Sequence, residues 1–297
     1  MKMRFLAFVS VVLAMGACSN VGDLASTEAD DTTDLAAFPD RTQEEGGLLS
    51  AFYGLDDGVP FLASYRICNT WGLKDGMPVV FSKEVDVATV QAGDFSVTLA
   101  DGTVVPAVCA TPAPAEDLGE FRTILLLGDF GSGANQPVTV EITGHIISLD
   151  HSSDFKGTKV QATPLEDGPF LVHAEVVAEA DWEIGKQATR LPFGGGDACP
   201  GSSAQVVRAV WAGGVTKPGG DEVDDLERAA YKVIVEAEAG EEAIITPFAL
   251  GDLSDGDNNH ELCLDVDRKV LRIEFPAGLM TDPRDDLNVA TSIAVSS

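Results

Sequence analysis

Near the C-terminus, six acids and Asn259 fall within sixteen positions: Asp252, Asp255, Asp257, Asn259, Glu261, Asp265 and Asp267, in the run GDLSDGDNNHELCLDVD. Side-chain oxygens are what hard cations take as ligands, and Asp255, Asp257 and Asn259 stand at the alternate positions with which many calcium loops open. The likeness stops there, because His260 stands where such a loop needs glycine and Val266 where it needs a bidentate glutamate. An irregular inter-strand loop of this kind could still hold calcium through Asp252, Asp255, Asp257, Asn259 and Glu261, although the composition of so acidic a chain favours the plainer reading, an acidic, solvated turn.

Two weaker acidic stretches accompany it. Residues 219–227 (GGDEVDDLE) place five acids in seven positions after two glycines, and residues 281–286 (TDPRDD) read as an Asx-Pro turn. The four histidines do not assemble by spacing: His145 and His173 lie in strand patterns, His151 in the exposed turn DHSSD, and only His260 has acids around it. There is no H-E-x-x-H pair for zinc, no G-x-S-x-G elbow, and no glycine-rich phosphate loop. A hydrolase using carboxylates of the C-terminal domain is the enzymatic alternative. Against it, 3 Trp and 3 Tyr leave few aromatics to line a sugar cleft.

The elements that must position these residues read as strands. Met77 opens the compact apolar run MPVVFSKEV; Phe95, Val97 and Leu99 alternate with Ser96 and Thr98; Val138, Val140 and Ile142 alternate with Thr139 and Glu141. Asp75-Gly76, Asp101-Gly102 and the Gly131–Gly133 cluster supply turns between them. Short strands at this spacing mean an all-β sandwich or barrel. The C-terminal third repeats the pattern: VVRAVWAGGV stands where MPVVFSKEV stood, AAYKVIVEAEAG matches GDFSVTLADG, and AIITPFAL matches VVPAVCAT. The expectation is all-β, with two tandem sandwiches over residues 48–149 and 197–297 and a connecting segment over 150–196. Within the first, Phe81, Ser82, Val85, Asp86, Val90, Asp94 and Phe95 resemble the bacterial Ig-like domains of surface and S-layer proteins. That resemblance implies an Ig-like β-sandwich and a structural or recognition module without catalytic residues.

The N-terminus sets the compartment. Lys2 and Arg4 precede an apolar run from Phe5 to Ala17, too short to span a bilayer, which takes roughly 20 apolar residues. This reads as a secretion signal over residues 1–17. Met15, Gly16 and Ala17 before Cys18 resemble the lipobox of bacterial lipoproteins, which implies lipidation of Cys18 and anchoring to a membrane by acyl chains. Ordinary cleavage after Gly16 is the other reading. Residues 18–47 are rich in Asp and Glu with Arg41 as the sole base, and read as a disordered acidic linker.

With Cys18 set aside, Cys68, Cys109, Cys199 and Cys263 form an even set in an oxidising compartment, where disulfides are expected. Of three connectivities, the domain division favours Cys68 with Cys109 and Cys199 with Cys263. Loss of Lys2 and Arg4 with the leader takes the formal charge from −29 to −31. That charge excludes nucleic acid, whose phosphates need clustered Lys and Arg, and argues against an anionic membrane surface as an electrostatic partner. The sequence thus reads as an exported cell-envelope lipoprotein, a binding or structural module for a protein or glycan partner, on the periplasmic or surface side. Ser19 after the cysteine favours the outer over the inner membrane. An accessory subunit of an envelope complex is a further alternative.

Overall fold

The computed structural model of the protein describes residues 31–182, 198–253 and 256–296. The signal, Cys18, the first part of the expected linker and Asp255 lie outside the described residues. What is described is mostly β, in two units.

The first unit comprises β1 (Leu48–Phe52), β2 (Asp75–Phe81), β3 (Phe95–Leu99), β4 (Val104–Thr111), β5 (Thr123–Gly128), β6 (Pro137–Ile142) and β7 (Lys159–Thr163). They run in the order β1-β2-β5-β4-β3-β6-β7 and form a closed barrel. This corrects the expectation of two open facing sheets. The ring closes because β1 pairs in parallel with β7, Ala51 opposite Ala162 and Phe52 opposite Thr163. On the far side, β4 pairs with β3 over Val104 to Pro106 and then with β5 from Ala107 to Thr111, so one strand turns the corner between two sheets. The alternation in β3 is as read, with Phe95, Val97 and Leu99 buried. Phe81 anchors the core edge-on to Phe95 and Phe155, at centroid distances of 6.4 and 4.9 Å. Each such side chain contributes about 1.5–3 kcal/mol on burial.

Residues 31–47 lie on this barrel, so the expected disordered linker does not extend to residue 47. The His145 amide donates to Asp31 at 2.8 Å, Phe38 packs edge-on against His151 at 4.9 Å, and Arg41 pairs with Asp154 at 3.7 Å. Acidic composition is offset here by specific donors on the barrel surface.

The second unit comprises β8 (Leu171–Val176), β9 (Gln205–Trp211), α2 (Asp225–Ala230), β10 (Lys232–Glu236), β11 (Glu242–Ile245), β12 (Ala249–Gly251), β13 (Asn259–Leu264), β14 (Val270–Phe275) and β15 (Thr291–Ala294). Two four-stranded sheets form, in the orders β11-β10-β14-β15 and β12-β13-β9-β8. The residues read as a connecting segment are thus divided, β7 going to the barrel and β8 to the second unit. Trp211, Tyr231 and Phe275 meet in the core, Trp211 at 5.3 Å and Tyr231 at 4.6 Å from the Phe275 ring. Disulfides join Cys68 to Cys109 in the first unit and Cys199 to Cys263 in the second, the pairing favoured by sequence.

Every residue of β9 is buried. A strand covered on both faces reads as a near-continuous apolar run, and QVVRAVW does so except at the leading Gln205 and at Arg208, its one charge. Val207, Ala209 and Trp211 face the core of the second unit. Val210, on the other face, packs with Val172 and Ala212 against Phe52 and Val80 of the barrel. β9 is therefore the strand through which the two units join.

Candidate functional site

The one charge in β9 gathers the acids around it. Arg208 lies between two carboxylates on the flanking strands, Glu175 of β8 and Glu261 of β13, each directly opposite it in register. Its Nη2 is 3.2 Å from Glu261 Oε1 and its Nη1 is 3.6 Å from Glu175 Oε1. The barrel supplies the other partners from the loop between β4 and β5: Arg208 Nη1 donates to the Gly119 carbonyl at 3.0 Å and Nη2 to the Leu118 carbonyl at 3.1 Å. Gly119 is required for two reasons. Its φ is +90°, and a Cβ there would lie 2.1 Å from Arg208 Nη1.

A second arginine extends the network. Arg122, at the entry to β5, pairs with Glu175 Oε2 at 2.8 Å, and His173 Nε2 lies 3.3 Å from the same oxygen. Burial alone would raise the Glu175 carboxyl, but the His173 hydrogen bond and the Arg122 and Arg208 charges outweigh it and hold it at about 2. Glu120 goes the other way. Burial pushes its carboxyl well above the usual range, against a hydrogen bond shared with Asp252 and the charge of Arg208. The closest approach of acids joins the units here: carboxylate oxygens of Asp117, Glu120 and Asp252 all lie within 4.8 Å of one another. Arg208, Glu120, Asp252 and Glu261 are all buried. The space among them is about 10 Å³, room for about one water.

Of the five candidate calcium ligands, the structure brings Asp252 and Glu261 to this cluster. Asp257 instead accepts from the Asn259 amide at 2.8 Å and side chain at 2.6 Å, so those two bond to each other. Asp255 lies outside the described residues. Among the other acidic stretches, Asp224 caps α2 by accepting from the Leu226 amide at 3.0 Å, with Glu227 completing the capping box. Asp282 accepts from the amides of Arg284 and Asp286 at 2.9 and 3.0 Å, forming the expected turn. The Gly219 amide donates to Asp285 at 2.9 Å, which brings these two loops together.

The histidines stay apart. His145 is 2.6 Å from Asp154, and His260 is buried in the second core with its Nδ1 2.8 Å from the Tyr231 hydroxyl, which in turn accepts from Trp211 Nε1 at 2.9 Å. Burial pushes the His260 ring down to about 4, so it is neutral at pH 7. Sequence spacing had set it among acids; the fold turns it toward Tyr231 instead.

Sequence reasoning passed over Arg208, Arg122, Glu175, Glu120 and Asp117. Arg208 was legible as the lone charge in an otherwise apolar strand. The acids of the β4–β5 loop carried no such signal.

No family model and no curated protein matches the chain. Two solved structures are distantly similar. The N-terminal part of the bacterial S-layer protein SbsC is 12% identical over 86% of this chain and 45% of its own, with a TM-score of 0.28. The S-layer protein rSbsC(31-844) is 14% identical over 79% of this chain and 42% of its own, with a TM-score of 0.27. The chain thus spans less than half the length of either, and likeness at this level assigns no function.

Proposed function

We propose that the chain is an exported cell-envelope protein, anchored through acylated Cys18, whose two β units act as one stiff architectural or binding module. The observation that carries this reading is the pair of disulfides, one per unit, since such bonds persist in oxidising compartments and are rare in reducing ones. The strand orders support an Ig-like origin for both units. β1-β2-β5-β4 against β3-β6-β7 follows the ABED and CFG arrangement of immunoglobulin sheets, and β8-β9-β13-β12 against β11-β10-β14-β15 repeats it with an added edge strand.

Stiffness comes from the joint. Arg208, fixed by carboxylates of its own sheet and bonded to two carbonyls of the other unit, resists hinge motion together with Arg122, which crosses from the barrel to Glu175, because opening the joint strands these donors and Glu175 away from their partners. In this proposal Arg208, not calcium, is the cation at the centre of the acidic cluster. Of the carboxylates of the hydrolase alternative, Asp252 and Glu261 are buried beside it around a space of about 10 Å³. The anchor is tested by metabolic labelling with a fatty acid: label in the wild type that disappears in Cys18→Ser supports acylation, and an unlabelled wild type refutes it. Membrane separation then tests the outer-membrane placement drawn from Ser19.

A further inference from the structure

Among the described residues, a group of exposed apolar side chains lies outside the acidic cluster, in the segment between β1 and β2. There α1 (Phe61–Cys68) is amphipathic in the inverted sense: Ser64 is fully buried, Cys68 is bonded to Cys109, and the outward face carries Phe61, Leu62, Tyr65 and Ile67. The turn that follows adds Trp71 and Leu73. Leu62, Trp71 and Leu73 are 61, 70 and 59% exposed. The rings touch one another, Tyr65 to Trp71 at 5.0 Å and Phe61 to Trp71 at 5.7 Å, so this is one cluster. Exposed apolar groups gathered in this way mark an interaction surface.

Charge indicates what the surface meets. From Gly58 to Lys74 there is no Asp or Glu, in a chain with 48 acids in 297 residues, whereas Arg66 and Lys74 fall within it. Lys74 is paired with Asp129 at 2.8 Å, and Arg66 is exposed on the helix. Trp and Tyr beside aliphatic side chains and a basic residue are the composition that settles at a bilayer's headgroup boundary. The shape agrees. The Trp71 ring is tilted by 51° and 60° to its two neighbours, which gives a projecting knob in place of the flat platform that stacks on a sugar ring. We propose that α1 and the turn after it form a membrane-contact knob, which inserts Leu62, Trp71 and Leu73 into the interface of a bilayer containing anionic phospholipid while Arg66 meets its headgroups. No acid within the segment opposes this contact; the bordering Asp56 and Asp57, and Asp129 on Lys74, lie outside it, and Arg66 with the apolar tip must hold against the overall charge. The inference does not rest on acylation of Cys18, which tethers a chain without placing Trp71 in lipid.

The test uses the full chain with phosphatidylcholine vesicles, with and without phosphatidylglycerol, containing lipids brominated in the acyl chain. The emission component of Trp71 is the difference between wild type and Trp71→Phe. It is expected to shift to the blue and to be quenched by the brominated lipids. Arg66→Glu should raise the lipid concentration for half-maximal quenching about thirtyfold with phosphatidylglycerol present, and little without it. Leu226→Ala, an exposed apolar residue elsewhere, should leave quenching unchanged. A Trp71 component that is not quenched overturns the proposal whether or not the protein is anchored. So does a dimer formed without vesicles and lost in Leu62→Ala/Trp71→Ala, which would assign the knob to a second copy.

Discussion

In the barrel, β4 is a single eight-residue strand that passes from β3 to β5. In the second unit the same path is cut between β11 and β12, where Pro247 intervenes and its carbonyl accepts from Arg228 at 2.6 Å. The other seam differs as well: β1 and β7 pair at two positions in parallel, whereas β8 reaches the chain after β15 only through a parallel bridge from Glu175 to Ser296. Two units with one strand order thus close differently. Closure goes with whether one strand bridges the sheets, and proline alone does not decide that, since Pro106 lies inside β4 where it turns from β3 to β5. The hydrophobic pattern, shared by both units, does not decide it.

The largest effect should come from the joint, where the two units are compared directly because each supplies half. Arg208→Met leaves Glu261 buried without its cation, Glu175 with Arg122 and His173 alone, and the Leu118 and Gly119 carbonyls without their donor, and is expected to cost about 3–5 kcal/mol in urea unfolding. A loss below about 1 kcal/mol would mean that the units are not locked through it.

The disulfides come next. They close sequence separations of 64 residues in the second unit and 41 in the first, for which loop entropy gives about 4 kcal/mol each. Removal of Cys199 and Cys263 should cost more than removal of Cys68 and Cys109, by about 0.4 kcal/mol from loop length alone. Burial widens the gap, since Cys199 and Cys263 are both in the core whereas Cys68 caps a surface helix. Equal midpoints for the two double Ser variants would contradict this.

The pH dependence separates joint from core. Glu120 has a folded pKa raised above its unfolded value, so the folded state binds the extra proton and stability falls as pH rises from about 4.5 toward neutrality. His260 has a folded pKa lowered to about 4 from 6.5, so stability is lost as pH falls through that window. Glu120→Gln should remove the first slope and leave the second, which is read from Tm at stepped pH. An unchanged profile would place Glu120 outside the linkage.

The smallest effect tests closure itself. Pro247→Ala restores an amide between β11 and β12 and should alter stability by less than about 1 kcal/mol, either way. Hydrogen exchange at the new amide is the readout: because Pro106 does not break β4, the new amide is expected to stay unprotected, and protection would show that Pro247 alone held the seam open.

Much of the strand pattern was legible because it is local. β3 alternates in sequence as it does in burial, and β6 does so at Val140 and Ile142 but not at Val138, which is exposed; the repeat of β2 by β9 and β3 by β10 could be read from apolar spacing. The barrel was not, because the pairing that closes it joins Ala51 to Ala162, more than a hundred residues away, and the polar run KVQAT of β7 gives no sign of it. The acidic loop misled for the opposite reason. Its spacing put Asp257 and Asn259 on one side of the chain, where they satisfy each other, while Glu261 answers to Arg208 on the adjoining strand and Asp252 joins the same cluster.

The central claim, export to an oxidising envelope compartment with a lipid anchor, is tested most directly by the intact mass of the protein isolated from its native membranes, alkylated before and after reduction. The account predicts a chain beginning at an acylated Cys18 that takes up no alkylating groups until reduction and four afterward. A chain that retains Met1, or one whose four remaining cysteines react without reduction, would contradict it.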